Sequence, residues 1–167
     1  VYGFSSVLLA LQPGIAIGAG AALVVAGVEK LGGNAFAGAL FFAPFGALIA
    51  FAVYMTLTWL GVRIMSIGLK PGVTPVRSLN GWRVWVIGRL MDDARTVLFP
   101  LYASQLTPWW FRSLGAKVGK DAEISTAVMI PKFADVKEGS FLADDTMIGG
   151  YELGGGWVLT GESKVGK

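Results

Sequence analysis

Hydrophobic positions in the last third of the chain return on a fixed beat. An aliphatic residue stands at every sixth position through Val118, Ile124, Ile130, Val136, Leu142 and Ile148. After a slip of one residue, Leu153, Leu159 and Val165 carry the same interval onward. The position four after each of the first five is small or β-branched: Ala122, Val128, Ala134, Ser140 and Thr146. Glycine directly follows Val118, Ile148, Leu153 and Val165. Neither a 3.6-residue helix nor simple alternation produces such a period. A coil of short flat strands joined by tight corners does, with one aliphatic side chain per strand pointing inward. The small fourth residue leaves room at the same interior, and glycine tolerates the corner backbone. The pattern predicts a parallel β-helix over residues 116–167. An antiparallel sheet with regular turns is the competing reading.

The first part of the chain has no such beat because almost every position is apolar. Val1 to Val28 is almost wholly apolar, broken by Gln12-Pro13 and several glycines, and Ala35 to Val62 is uncharged until Arg63 ends it. Each run exceeds the roughly 20 residues needed to cross a bilayer. A tight loop from Glu29 to Asn34 separates them, and Pro44 is expected to kink the second span or mark its start. A signal peptide would carry a basic leader and would not be followed at once by a second full span. A buried soluble helical hairpin would need partners that the rest of the sequence does not supply. The prediction is a transmembrane hairpin over residues 1–68. Arg63, Lys70, Arg77, Arg83, Arg89 and Arg95 outnumber Asp92 and Asp93 on its C-terminal side. The positive-inside rule therefore predicts a multi-pass protein of the inner or cell membrane, with everything after Arg63 in the cytoplasm.

Residues 69–115 read as a linker and amphipathic interfacial helices. Lys70 to Pro75 holds two helix-breaking prolines. Asn80 is the expected cap of a helix from Gly81 to about Phe99, ended by Pro100. On it Val84, Val86, Ile87, Leu90, Met91, Ala94, Val97 and Leu98 share one face, opposite Arg89, Asp92, Asp93, Arg95 and Thr96. Trp82, Trp85, Trp109 and Trp110, together with Arg63, Lys70, Arg77 and Arg83, are the predicted membrane-interface residues. Packing of the amphipathic helix onto the β-helix is a second reading, compatible with the first. Thr107-Pro108 opens a short aromatic helix that Gly115 closes, placed to plug the end of the coil.

Composition narrows the chemistry. The 54% hydrophobic content averages an uncharged half, where Glu29 and Lys30 are the only charges before Arg63, with an ordinary half. The net charge of +3 comes from the segment after the hairpin and fits anionic lipid; no basic-aromatic platform points to nucleic acid. There is no Cys and no His, so thiol chemistry, histidine general-base catalysis and the usual transition-metal ligands are all excluded. No metal site is expected. The fold class is an α+β membrane protein: a helical hairpin, amphipathic helices, then a β-helix. Because the chain starts at Val1 and stops in mid-repeat at Lys167, it is read as a piece of a longer protein.

Three local features carry candidate chemistry. The run from Gly161 to Lys167 matches a P-loop as far as its lysine, but lies on the six-residue beat without a strand-then-helix context. The glycine-rich stretch Gly149 to Trp157 breaks the register, marking a remodelled corner or a close approach of a ligand to backbone. Asp144, Asp145, Tyr151 and Glu152 flank that corner and are the candidate catalytic groups, since a carboxylate of raised pKa can act as a base.

The periodic stretch, with its lead-in Trp110 to Gly119, resembles the hexapeptide-repeat family, whose left-handed β-helix carries many acyltransferases. That family deprotonates its acceptor with a His, which this chain lacks. The whole layout is similar to the C-terminal membrane region of poly-lysine-synthetase-type peptide synthetases, in particular Leu101 to Lys117 and Ile148 to Leu153. That resemblance implies upstream adenylation and carrier domains in the same polypeptide. It also implies a phosphopantetheine-bound aminoacyl donor, sibling β-helix domains and transfer of aminoacyl thioesters to an amino acceptor, while the hexapeptide-repeat resemblance implies a homotrimer. No cofactor of the segment itself is implied, and no catalytic residue of the family maps onto this chain. Two other readings stay open: a membrane-anchored acyltransferase using acetyl-CoA, and a non-catalytic β-helix that serves as a docking scaffold.

Overall fold

The computed structural model describes residues 2–166. Val1, the expected start of the hairpin, and Lys167, the lysine of the P-loop-like run, lie outside the described residues. The chain combines helices and sheet. By mutual contact it divides into a unit ending at Leu57 and a unit beginning at Thr58, and the division falls within the second helix.

The first unit is built from α1 (Tyr2–Leu31) and the N-terminal part of α2 (Ala35–Ser66). Both helices are long and apolar enough to cross a membrane. The buried positions of α1 are small or polar: Ser5, Gln12, Ala16, Gly20 and Gly27. Small side chains let two backbones approach; a Cβ at Gly20 would stand 2.3 Å from the Gly46 carbonyl oxygen. The large residues Ile15, Ile17, Phe41 and Leu48 point outward. This arrangement inverts the soluble pattern and leaves a continuous apolar surface. Pro13 and Pro44 both lie inside their helices, so Pro44 does not begin α2. Asn34 caps α2, its side-chain oxygen accepting from the Phe36 and Ala37 N–H groups at 3.0 and 3.3 Å.

The second unit carries the beat. Its short strands are β1 (Gly72–Pro75), β2 (Lys117–Val118), β3 (Glu123–Ile124), β4 (Val128–Met129), β5 (Ala134–Val136), β6 (Phe141–Leu142), β7 (Met147–Ile148), β8 (Tyr151–Gly154), β9 (Trp157–Thr160) and β10 (Ser163–Val165). Three parallel ladders form among them, β2–β5–β10, β3–β6 and β4–β7. Val118 pairs with Val136 and Ile124 with Leu142, each eighteen residues on, which is three hexads. Ile124, Val136, Leu142 and Ile148 are buried, with Ala122, Ala134 and Ser140 beside them. Successive corners stack closely, since a Cβ at Gly119 would stand 2.4 Å from the Glu138 nitrogen.

Two departures from the beat have local causes. Met129, not Ile130, pairs with Ile148. The extra residue is absorbed where Pro131, which has no N–H to give a ladder, opens a 3-10 turn ending at Phe133. Leu153 and Leu159, expected to point inward, are exposed instead. They lie on β8 and β9, an antiparallel hairpin turned by Gly155 and Gly156 at φ of 55° and 84°. Val158 and Thr160 take the interior positions. The six-residue interval resumes at β10, where Val165 pairs with Val136. The Ser163–Val165 run is therefore a ladder strand, not a phosphate-binding loop.

The expected linker also contributes structure. Its last four residues are β1, an edge strand pairing Val73 with Leu159 and Pro75 with Trp157. The helix α3 (Leu79–Val97) starts earlier than expected because Ser78, not Asn80, caps it, accepting from the Gly81 N–H at 3.1 Å. The Asn80 side chain reaches back to the Lys70 carbonyl at 3.4 Å. Val84, Val86, Ile87, Leu90, Met91, Ala94 and Leu98 are buried where expected, whereas Val97 is exposed. This face packs on β1 and β4. After a single turn, α4 (Phe99–Tyr102), comes α5 (Thr107–Leu114). It packs on β2, β3 and the 3-10 turn and buries Trp110, Phe111 and Leu114. Gly115 ends it in the left-handed region at φ 108°. Arg112 then ties helix to coil, donating to the Val118 and Gly119 carbonyls at 2.9 and 2.7 Å.

Candidate functional site

A cleft of about 1340 Å³ opens in the second unit. One wall is the end of α3, with Arg95 and Thr96, followed by Phe99, Tyr102 and the loop to Pro108. The other wall is the outer face of the β3–β6 ladder and its corners, with Asp121, Glu123, Ser125, Thr126, Phe141, Asp144 and Asp145. Strand alternation places them there. Ile124 and Leu142 point in, so their ladder-paired neighbours Glu123 and Phe141 point out.

The 144–145 corner is held from both walls. The Asp144 carboxylate accepts hydrogen bonds from the Ser125 and Thr126 hydroxyls. The Asp145 N–H donates to Thr126 Oγ1 at 3.1 Å, and its carboxylate pairs with Arg95 Nη1 at 2.5 Å. Asp145 itself adopts φ 57°, a conformation that Asp tolerates better than most side chains. The Ser125 hydrogen bond is the main cause that holds the Asp144 carboxyl below its ordinary value; partial desolvation opposes it, and Thr126 adds to the lowering.

Tyr151 and Glu152 are not part of this cleft. They sit on β8, paired with Thr160 and Leu159 of the antiparallel hairpin. The four candidate catalytic residues, near one another in sequence, are thus divided between a corner of the ladders and the hairpin sheet. Arg95, Ser125 and Thr126 are site residues that the sequence reading missed. The three-hexad spacing is the signal that would have found the hydroxyls, since Thr126 stands eighteen residues before Asp144. Arg95 had been assigned to the basic juxtamembrane group.

A second polar cluster crosses the β2–β5–β10 ladder, where Lys117, Asp135 and Lys164 stand in register. Lys137 Nζ donates to Asp135 at 2.8 Å. That hydrogen bond is the leading cause of the lowered Asp135 pKa, with Lys117 and Lys164 adding attraction. Among the described residues, no group of three or more His, Cys, Asp or Glu is placed to hold a metal ion.

The predicted membrane-interface residues fall into different environments. Lys70, Arg77 and Trp109 are exposed, while Trp82, Trp85 and Arg83 are half-buried. The Arg63 and Arg83 guanidinium groups lie over Gly115 and Gly68. Trp110 does not belong with them: it is 1% exposed, and its indole N–H donates to the Tyr102 hydroxyl at 3.2 Å. An aromatic side chain so enclosed serves the seal between α5 and the ladders.

No family model matches the chain, and no solved structure matches it. Over 99 residues, 59% of this chain, it is 39% identical to the Delta-poly-L-ornithine synthetase of Acinetobacter baumannii (strain AB307-0294). The chain spans about 7% of the length of that relative. Over more than half its length, this chain is therefore similar to a small part of a poly-amino-acid synthetase.

Proposed function

We propose that the chain is a membrane-anchored segment of a peptide synthetase and that its second unit acts in amide formation. The 39% identity to a poly-L-ornithine synthetase carries this reading. In this proposal α1 and α2 are bilayer spans, the second unit faces the cytoplasm, and the ladders wind as a left-handed hexapeptide β-helix of the acyltransferase type. Support comes from the apolar exterior of the two helices and the three-hexad ladder register.

The proposed reaction joins an aminoacyl group, held as a thioester on a carrier domain of the same polypeptide, to an amino acceptor. The acceptor nitrogen attacks the thioester carbonyl; a C–N bond forms, the C–S bond breaks, and the carrier thiol leaves with a proton. An acceptor whose attacking amine is neutral but which carries a cationic group elsewhere suits the cleft, whose lining holds four carboxylates to one guanidinium. Arg95 and the two hydroxyls position the corner and take no part in bond making.

The test uses the intact synthetase in detergent, supplied with a labelled amino acid. Val136→Asp, which places a charge inside the ladders, is expected to leave carrier loading intact and abolish polymer. Asp121→Asn with Glu123→Gln is expected to raise the KM for the acceptor while loading stays unchanged. Undiminished polymer from the Val136 variant would remove the ladders from amide formation. Label arriving from acetyl-CoA instead of the carrier would favour the acyltransferase reading.

A further inference from the structure

The sheet β1–β9–β8 carries an apolar face turned away from the core. Val73 pairs with Leu159 and Pro75 with Trp157, so these four side chains stand together on one side of two neighbouring strands. Val73, Trp157 and Leu159 are 60, 48 and 43% exposed, while Val158 and Thr160 on the other side are buried. The segment around β1 continues the pattern: Ile67 and Leu79 are exposed before and after it, and the exposed cations Lys70 and Arg77 bracket it. Glu152, paired with Leu159 on the outer strand, marks the rim.

We infer that this face lies on the bilayer surface, its apolar side chains at the boundary of headgroups and acyl chains and Lys70 and Arg77 on anionic headgroups. The inference rests on reading α2 as a membrane span. α2 ends at Ser66 and β1 begins at Gly72, so an extended connector reaches no more than about 20 Å. Lipid fits better than a second copy of this chain. Two such faces brought together would set their flanking cations against each other, whereas an anionic surface attracts both. An exposed indole beside aliphatic and basic side chains also matches the chemistry of the headgroup layer.

The chain contains no cysteine, so single labels are simple to place. The full chain would be reconstituted in phosphatidylcholine vesicles with and without phosphatidylglycerol. An environment-sensitive fluorophore would be attached at Leu159→Cys, Lys164→Cys or Leu48→Cys. With phosphatidylglycerol, the label at 159 is expected to be quenched by brominated phospholipid and shielded from aqueous iodide. It should lose both properties when Lys70→Glu and Arg77→Glu are added. The label at 164 should stay open to iodide. If the label at 48 meets brominated lipid while that at 159 remains open to iodide, the docking is wrong and the spans stand. A label at 159 shielded from both quenchers would mean a protein covers the face, which also overturns the proposal. If the label at 48 escapes brominated lipid, the membrane reading itself falls and takes the docking with it.

Discussion

In the ladders Leu142 is 3% exposed, while in the hairpin Leu153 and Leu159 are 65 and 43% exposed. Both regions are short extended strands, and both place aliphatic side chains six residues apart. They differ in the connections. Between ladder strands, turns at Lys120-Asp121, Glu138-Gly139 and Asp144-Asp145 redirect the chain so that later strands pair parallel to earlier ones. Gly155-Gly156 reverses it. After a corner, the same hexad position faces in again. After a reversal, the pairing of β9 with β1 sets Val158 and Thr160 inward and Leu159 outward; Leu153 shares the side of Val158 and is exposed on the edge strand β8. The direction of a side chain is thus a property of the turn before it as much as of its spacing.

The strongest way to break this contrast is to shorten one leucine from each region. Leu142→Ala removes a buried ladder contact and is expected to cost about 2–5 kcal/mol. Leu159→Ala in detergent should stay within about 0.5 kcal/mol of the parent. Denaturant unfolding of the full chain in micelles measures both, and equal losses would mean the hairpin is packed as tightly as the ladders.

Two glycines sharpen the contrast on a smaller scale. Gly119→Ala drives a Cβ into the Glu138 backbone, which follows the paired strand β5, and should cost about 1–3 kcal/mol. A Cβ at Gly154, in the hairpin, meets open space. Gly154→Ala is therefore expected to be neutral in the same unfolding measurement.

The smallest effect is electrostatic and confined to the ladder side. Asp144 has a folded-state pKa below its ordinary value of 3.8. Its contribution to stability is therefore fully present above that value and is lost as the pH falls through the lowered one. Ser125→Ala should weaken this acid sensitivity, and Asp144→Asn should remove the share due to Asp144. Thermal midpoints recorded across acidic pH for the three proteins would show it. Parallel curves would mean the Ser125 hydroxyl does not hold the carboxylate.

Much of the architecture was legible because it is local. Long apolar runs with few charges made the two helices legible, since length and hydropathy belong to consecutive residues. The pairing of residues three intervals apart, Val118 with Val136 and Ile124 with Leu142, came only from the structure, whereas the six-residue interval was legible because short strands repeat one local geometry. The buried face of α3 followed from helical periodicity for the same reason, although its cap did not, because Ser78 and Asn80 are equally good candidates by residue type alone. The cleft was hardly legible. Arg95 and Asp145 lie fifty residues apart and meet only when α3 packs on the coil. Proximity in sequence was misleading in the opposite sense, joining Tyr151 and Glu152 on the hairpin to Asp144 at a ladder corner.

The sequence by itself determined which stretches avoid water and with what period, because those preferences belong to neighbouring residues. Only the tertiary structure decided that Lys70 to Pro75 would supply an edge strand, that Leu159 would face outward and Trp110 inward, and that Arg95 would reach Asp145. Each of these outcomes depends on pairing between distant segments. Such pairing is set by which surfaces remain open once the local elements have formed.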